Sequence, residues 1–370
     1  MKQHSTASAS KGDRLAFIDW VRGLAAIIML QGHVFHSFTK PELRDSGGFV
    51  LSQFVGGMPP AIFLFLVGVT LSFRLDSRER QGVPPLGRVW AGLRRAGYLL
   101  GIAFLFRLQL WLFAWPGSPW TDLLRVDILN AMGLAVAVLS VMGLFTTADR
   151  VRLSAATGLA IAAASPLVSQ LNWSGVPALL KSYLAPDPQA FAFFPWAAFV
   201  AFGISAGSIV RLLKPDQTER AVQWAALLGL GLVVAGQYFA NVPYSLYARS
   251  DFWLDSPWQI LIKLGAILLL LAFAYLWTRQ KVAQTRWSWV RQFGTTSLLV
   301  YWVHIELVYG RWLWFWKENL TLVQSAAAAL AVILLMLGLS VLKTHWLARR
   351  PWSVRARWNL LWVRKAEARQ

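Results

Sequence analysis

Residues 15–38 read LAFIDWVRGLAAIIMLQGHVFHSF, an apolar run long enough to cross a bilayer as a helix. It carries Asp19 and Arg22 near its start and His33 and His36 near its end. An ionisable side chain at membrane depth costs several kcal/mol unless it faces protein or a water-filled cavity. Arg22 and His33 are eleven residues apart, close to three helical turns, so they share a face with about 16 Å between them along the axis. Asp19 precedes Arg22 by three residues and His36 follows His33 by three, which places all four near one stripe. A helix with such a polar seam is more than an anchor.

The rest of the chain fits that reading. It has 370 residues, 56% of them hydrophobic, a mean hydropathy of +0.48 and 21 Trp, the composition of a polytopic membrane protein. A net charge of +19 in a soluble protein would suggest nucleic acid as a partner. Here the charges fall in short loops between apolar runs, so the expected partners are membrane lipids and not nucleic acid. The absence of Cys excludes disulfides, thiolate metal sites and a cysteine acyl intermediate. The opening MKQHSTASASKGDR is polar and short, and no small-residue cleavage site follows the first apolar run, so it does not read as a signal peptide.

Apolar runs of membrane length predict an all-α bundle of about ten spans, near 15–38, 55–73, 91–115, 126–145, 153–171, 191–210, 221–240, 258–278, 293–314 and 321–342. Lys and Arg alternate between the connecting segments. One set, which includes both tails, holds 26 of them and the opposite set holds 7. By the positive-inside rule both termini are expected on the cytoplasmic side. The predicted organisation is an N-tail over 1–14, a membrane domain over 15–342 and a basic C-tail over 343–370. That tail, with Arg349, Arg350, Arg355, Arg357, Arg364 and Lys365, reads as a face for anionic lipid.

This topology gives each polar residue a depth. His33 and His36 fall near the outer end of the first span. The fourth span opens with LLRVDILN, which puts Arg125, Asp127 and Asn130 at the same level. The ninth, FGTTSLLVYWVHIELVYGRW, carries His304 and Glu306 in its outer half, with Glu306 expected to face a loop. Arg107, Gln109, Gln237 and Lys263 also fall in outer halves. The convergence predicts an outward-opening cavity with two or three His and at least one carboxylate. A His backed by a carboxylate is general-base equipment. Asp127 reads equally well as the partner of Arg125 or Arg107, and Arg107 and Lys263 as charges that hold the bundle together. Arg94 and Arg95, at the start of the third span, are placed for a phosphate-rich cytoplasmic ligand. No GxSxG or HExxH occurs, and no metal is expected. A proton- or anion-coupled transporter using Arg22, His33, Asp127 and Lys263 is the alternative, although the spans show no evident inverted repeat.

IDWVRGLAAIIMLQGH resembles the first-helix signature of the transmembrane acyltransferase superfamily, with Asp, then Arg-Gly, then ten residues between Arg and His. AIFLFLVGVTLSF, RVDILNAMGLA, FPWAAFVAFGISAG and FGTTSLLVYWVHIEL resemble, in order, later blocks of its heparan-α-glucosaminide N-acetyltransferase-like branch. The acyltransferase 3 branch shares the Arg-x10-His feature. The resemblance implies transfer of an acetyl group from cytoplasmic acetyl-CoA to a hydroxyl or amine of a glycan or similar acceptor across the membrane. It implies His33 as the catalytic histidine, with His36 the competing choice: several relatives have an acidic residue at that position, and the eukaryotic enzyme places its catalytic His further along the loop. Arg22 would meet the CoA arm or order the helix, while Asp127 and Asn130 would line the site and His304 would sit in the last block. Asp127 or His304 would orient the base, and Arg107 or Lys263 would steady the oxyanion. A bacterial inner-membrane location is expected, and a homo-oligomer is left open.

Overall fold

The computed structural model describes residues 13–188, 190–280 and 287–349. Within them the secondary structure is helical, with short 3-10 turns and two isolated β-bridges. The helices are α1 (Asp13–Phe38), α2 (Gly47–Gly56), α3 (Pro59–Arg80), α4 (Pro85–Ala114), α5 (Ile128–Leu139), α6 (Thr147–Ser169) and α7 (Ala178–Leu184). They continue with α8 (Phe193–Leu212), α9 (Thr218–Ala240), α10 (Pro257–Arg279), α11 (Trp289–Thr295), α12 (Ser297–Tyr309) and α13 (Leu322–Arg349). Eight helical stretches among the described residues are long and apolar enough to cross a membrane, so this is an integral membrane protein with a lipid-facing surface. They correspond to eight of the ten predicted spans. The other two are α1 and the ninth span. The N-tail up to Gly12 and the basic segment from Arg350, with its expected lipid contact, lie outside the described residues.

Several predicted boundaries change: α3 runs on to Arg80, α4 starts at Pro85 and α6 at Thr147. The ninth span is not one helix over 293–314. It breaks at Thr295–Thr296 into α11 and α12, and α12 ends at Tyr309, capped by Gly310. The last helix runs on to Arg349, past the predicted end at 342. By contrast α6 passes through Pro166 unbroken.

Small residues set the packing. A Cβ on Gly68 of α3 would stand 2.0 Å from the Val200 carbonyl oxygen, and one on Gly203 of α8 would stand 2.0 Å from that of Phe65. These glycines let two backbones touch, the usual device for joining helices where lipid is as apolar as the side chains. The resulting centre is α8, most of whose residues are buried against α3, α5 and α6. A second close approach joins α1 to α11. A Cβ on Gly23 would meet the Val290 carbonyl oxygen at 1.8 Å, and one on Gly294 would meet that of Asp19 at 1.8 Å. The Gly of the Arg-Gly pair is thus a packing residue, and its contact brings the following helix, α12, alongside the far half of α1.

Candidate active site

Three faces of α1 do different work. Ala26, Leu30, Val34 and Phe38 pack into an apolar core shared with α12 and α13. Val21 and Ala25 pack into the larger core built around α8. Between these faces, Arg22, Met29 and His33, spaced i, i+7 and i+11, form a stripe that lines a cavity of about 560 Å³. The cavity also takes residues from α3, α4, α5, α12 and α13. On α12 the lining stripe is Leu298, Tyr301, Ile305 and Tyr309, again at helical spacing.

The cavity has two unlike ends. One holds Arg22, Arg74, Arg95 and Lys343, from four helices. The other, about 16 Å further along α1, holds His33 with Tyr309 beside it. Pro59, Pro60, Phe63 and Phe191 contribute to the apolar walls. Among the described residues lining it there is no Asp or Glu, which corrects the expectation of a carboxylate in the cavity.

Two histidines meet at the second end. His33 Nδ1 lies 2.9 Å from His304 Nε2, with the rings stacked at 5.1 Å and 16°. His304 is fully buried, and its Nδ1 lies 2.7 Å from the Val300 carbonyl oxygen. That oxygen can only accept, so His304 Nδ1 carries a hydrogen. In the neutral ring His304 Nε2 is then an acceptor, and His33 Nδ1–H donates to it. The chain of bonds fixes the His33 tautomer and leaves its Nε2 as the proton-accepting atom. The arrangement survives because Ser37 donates to the Val308 carbonyl at 2.9 Å and Thr39 bonds Ser325 at 2.9 Å, so α1 is tied to α12 and α13 just past His33.

His36 stands apart. It is exposed, and the Tyr309 hydroxyl lies 3.3 Å from its Nδ1. Arg44 reaches its backbone oxygen at 3.3 Å and pairs with Glu318 at 2.8 Å, closing the end of α1. Arg22 pairs with Asp19 at 2.8 Å. Of the two sequence-predicted phosphate ligands, Arg95 lines the cavity, whereas Arg94 is exposed and its guanidinium lies over Trp90.

Asp127, Asn130 and Arg107 form a separate unit. Asp127 is the N-cap of α5 and accepts from the amides of Leu129 (2.9 Å) and Asn130 (3.4 Å). The Asn130 side chain returns the bond to the Asp127 amide at 3.2 Å, and its Nδ2 donates to Tyr183. The other Asp127 oxygen pairs with Arg107 at 3.0 Å. None of the three lines the cavity. Lys263 does not line it either; its ammonium sits over the Trp196 ring at 5.1 Å. Gln237 and Arg125 are exposed, and Glu306, expected to face a loop, is buried and accepts from Trp312 at 3.2 Å.

The lining residues absent from the sequence-based expectations include Arg74, Tyr301, Tyr309 and Lys343. The signal for the tyrosines was present: Tyr301, Ile305 and Tyr309 make one stripe beside His304. Nothing in the sequence alone distinguishes Arg74 or Lys343 from other basic residues near span ends.

Residues 14–238 match the catalytic domain of heparan-alpha-glucosaminide N-acetyltransferase, well over half of the chain. The chain belongs to this family. No curated protein matches it in sequence. Membership makes the protein a membrane acyltransferase of the acetyltransferase class. The matched segment contains α1 and its stripe but stops within α9, so the acetyltransferase's His304, Tyr309 and Lys343 lie beyond it.

Proposed function

We propose that the protein transfers an acetyl group from acetyl-CoA to a hydroxyl or amine of a glycan or similar acceptor, with His33 as general base. The observation that carries this is the hydrogen-bond chain from Val300 through His304 to His33, which leaves His33 Nε2 as a base in a cavity with cations at its other end. The acyl donor enters at the basic end with its phosphates near Arg22 and Arg95, and its pantetheine arm runs along the α1 stripe. Alternating basic loops support cytoplasmic termini; in that orientation the donor enters from the cytoplasm and the acceptor is met on the outer side, and the membrane we propose is a bacterial inner membrane.

In the reaction His33 Nε2 takes the acceptor proton as the acceptor oxygen or nitrogen attacks the thioester carbonyl. The carbon–sulfur bond then breaks, and the imidazolium returns the proton to the leaving thiolate, so CoA departs as the free thiol. His304 holds the His33 ring and favours the imidazolium through its lone pair. The Tyr309 hydroxyl is the neighbouring donor for the developing oxyanion. Asp127, Asn130, Arg107 and Lys263 act by positioning helices, and His36 lies at the outer approach. Direct attack is favoured over an acyl-histidine because the geometry already provides a base and asks for no second step.

The test is transfer from labelled acetyl-CoA to a panel of amino and hydroxyl sugars by purified protein in detergent, with His33→Ala beside it. Label on an acceptor with wild type and none with the variant is the expected result. A folded His33→Ala protein with full transfer overturns the role of His33. A transporter would instead show flux in vesicles without CoA release; no feature of the cavity favours it.

A further inference from the structure

The basic end of the cavity contains more charge than the proposed donor ligands Arg22 and Arg95 account for. Arg74 comes from α3 and Lys343 from α13, and both line the same cavity as Arg95 of α4. Arg22 already has a carboxylate partner in Asp19. Arg74 and Arg95 lie close enough for their like charges to repel. No Asp or Glu among the described lining residues relieves them. Arg74 is exposed and Arg95 and Lys343 are half-buried, so the three are open to a ligand, and cations of one sign lining one part of a cavity concentrate anions there.

We infer that Arg74 and Lys343, with Arg95, form a phosphate pocket that selects a nucleotide thioester over a thioester on a bare pantetheine arm. The inference rests on the acyl-CoA reading and names two residues that reading does not need. Three cations from three helices suit a ligand with phosphates at more than one point, a diphosphate together with a ribose phosphate. Guanidinium forks hold phosphate oxygens in pairs, and an ammonium adds a point charge. The remaining distance to His33, set by the α1 stripe, falls to the uncharged arm, which meets the apolar walls lined by Leu66, Val67 and Met132. Pinning the phosphates at one end would thereby place the thioester at the other.

The experiment measures binding of CoA, 3′-dephospho-CoA and pantetheine to the full chain in detergent by calorimetry, for wild type, Arg74→Gln, Lys343→Gln and Lys343→Arg. Wild type is expected to prefer CoA to pantetheine. Each Gln variant is expected to shrink that preference by roughly 10- to 100-fold, the loss of one charge-assisted contact, while Lys343→Arg keeps most of it. A CoA preference unchanged in both Gln variants overturns the inference, including where those variants lose affinity for phosphatidylglycerol nanodiscs, because the cations would then serve lipid. Should wild type bind no CoA, both this inference and the donor reading fail. Should CoA bind normally to both Gln variants while His33→Ala abolishes transfer, only the phosphate pocket fails. The lysine, at the end of the long helix α13, keeps the test available if Arg74→Gln does not fold.

Discussion

Of the polar pairs that cross between helices in this bundle, two have opposite characters. His33–His304 joins α1 to α12, and one of its rings lines a cavity. Arg107–Asp127 joins α4 to the start of α5, with neither side chain in the cavity lining and the carboxylate also occupied by two backbone amides. Both pairs sit in an apolar environment where an unpaired partner is costly. Only the first leaves an atom uncommitted. Asp127 has its two oxygens engaged in capping and in an ion pair, whereas His33 Nε2 remains an acceptor after the chain of bonds behind it is complete. The lesson is that depth and residue type bring groups to one level, but the partners each one already has decide whether it can do chemistry.

The largest effect is expected at His33. Its replacement by Ala is expected to lower kcat by about 10³-fold, the usual contribution of a positioned general base, with the thermal midpoint in detergent little changed. Next comes His304. His304→Phe removes the acceptor that fixes the tautomer, and a base left in the wrong tautomer is expected to lose on the order of 10²-fold in kcat. The KM for acetyl-CoA should stay within about twofold, whereas His304→Gln, which keeps an acceptor oxygen, should recover part of the rate. An equal fall for Phe and Gln would mean that His304 acts only by filling space.

The second pair should respond in stability instead. Asp127→Ala leaves Arg107 unpaired and opens the first turn of α5, at a cost of about 3–5 kcal/mol. Thermal inactivation in detergent reads this, and the surviving protein should keep its KM for acetyl-CoA. Arg107→Met combined with Asp127→Leu should lose less than Asp127→Ala alone, since replacing both charges removes the orphan. The smallest effect is expected at Asn130, where Ala removes one arm of the capping box and a bond to Tyr183, costing about 1 kcal/mol. A large loss of kcat at Asp127 with stability intact would move the carboxylate back into the chemistry.

The two pairs also show what the sequence could reveal. The stripe of Arg22 and His33 was legible because helical periodicity turns spacing directly into a shared face. That the apolar runs become helices followed from membrane length alone, apart from the break at Thr295–Thr296. Two threonines after a glycine do not mark a helix end by themselves; tertiary contact with α1 and α13 holds them there. The choice between Asp127 and His304 as the partner of His33 was not legible. Both fall at one depth, and only rotation of α12 against α1, set by Gly23 packing on α11, places His304 behind His33. Arg74 and Lys343 were hidden for a related reason, since basic residues gather at span ends for orientation whether or not they also face a cavity.

The proposed reaction requires one ligand to run the length of one cavity. The most direct measurement is a cryo-EM structure with a non-hydrolysable acetyl-CoA analogue. The prediction is density with phosphates among Arg74, Arg95 and Lys343 and the acetyl carbonyl beside His33 Nε2 and the Tyr309 hydroxyl. Analogue bound with its acyl end away from His33, or a cavity empty while the analogue sits elsewhere on the protein, would contradict it.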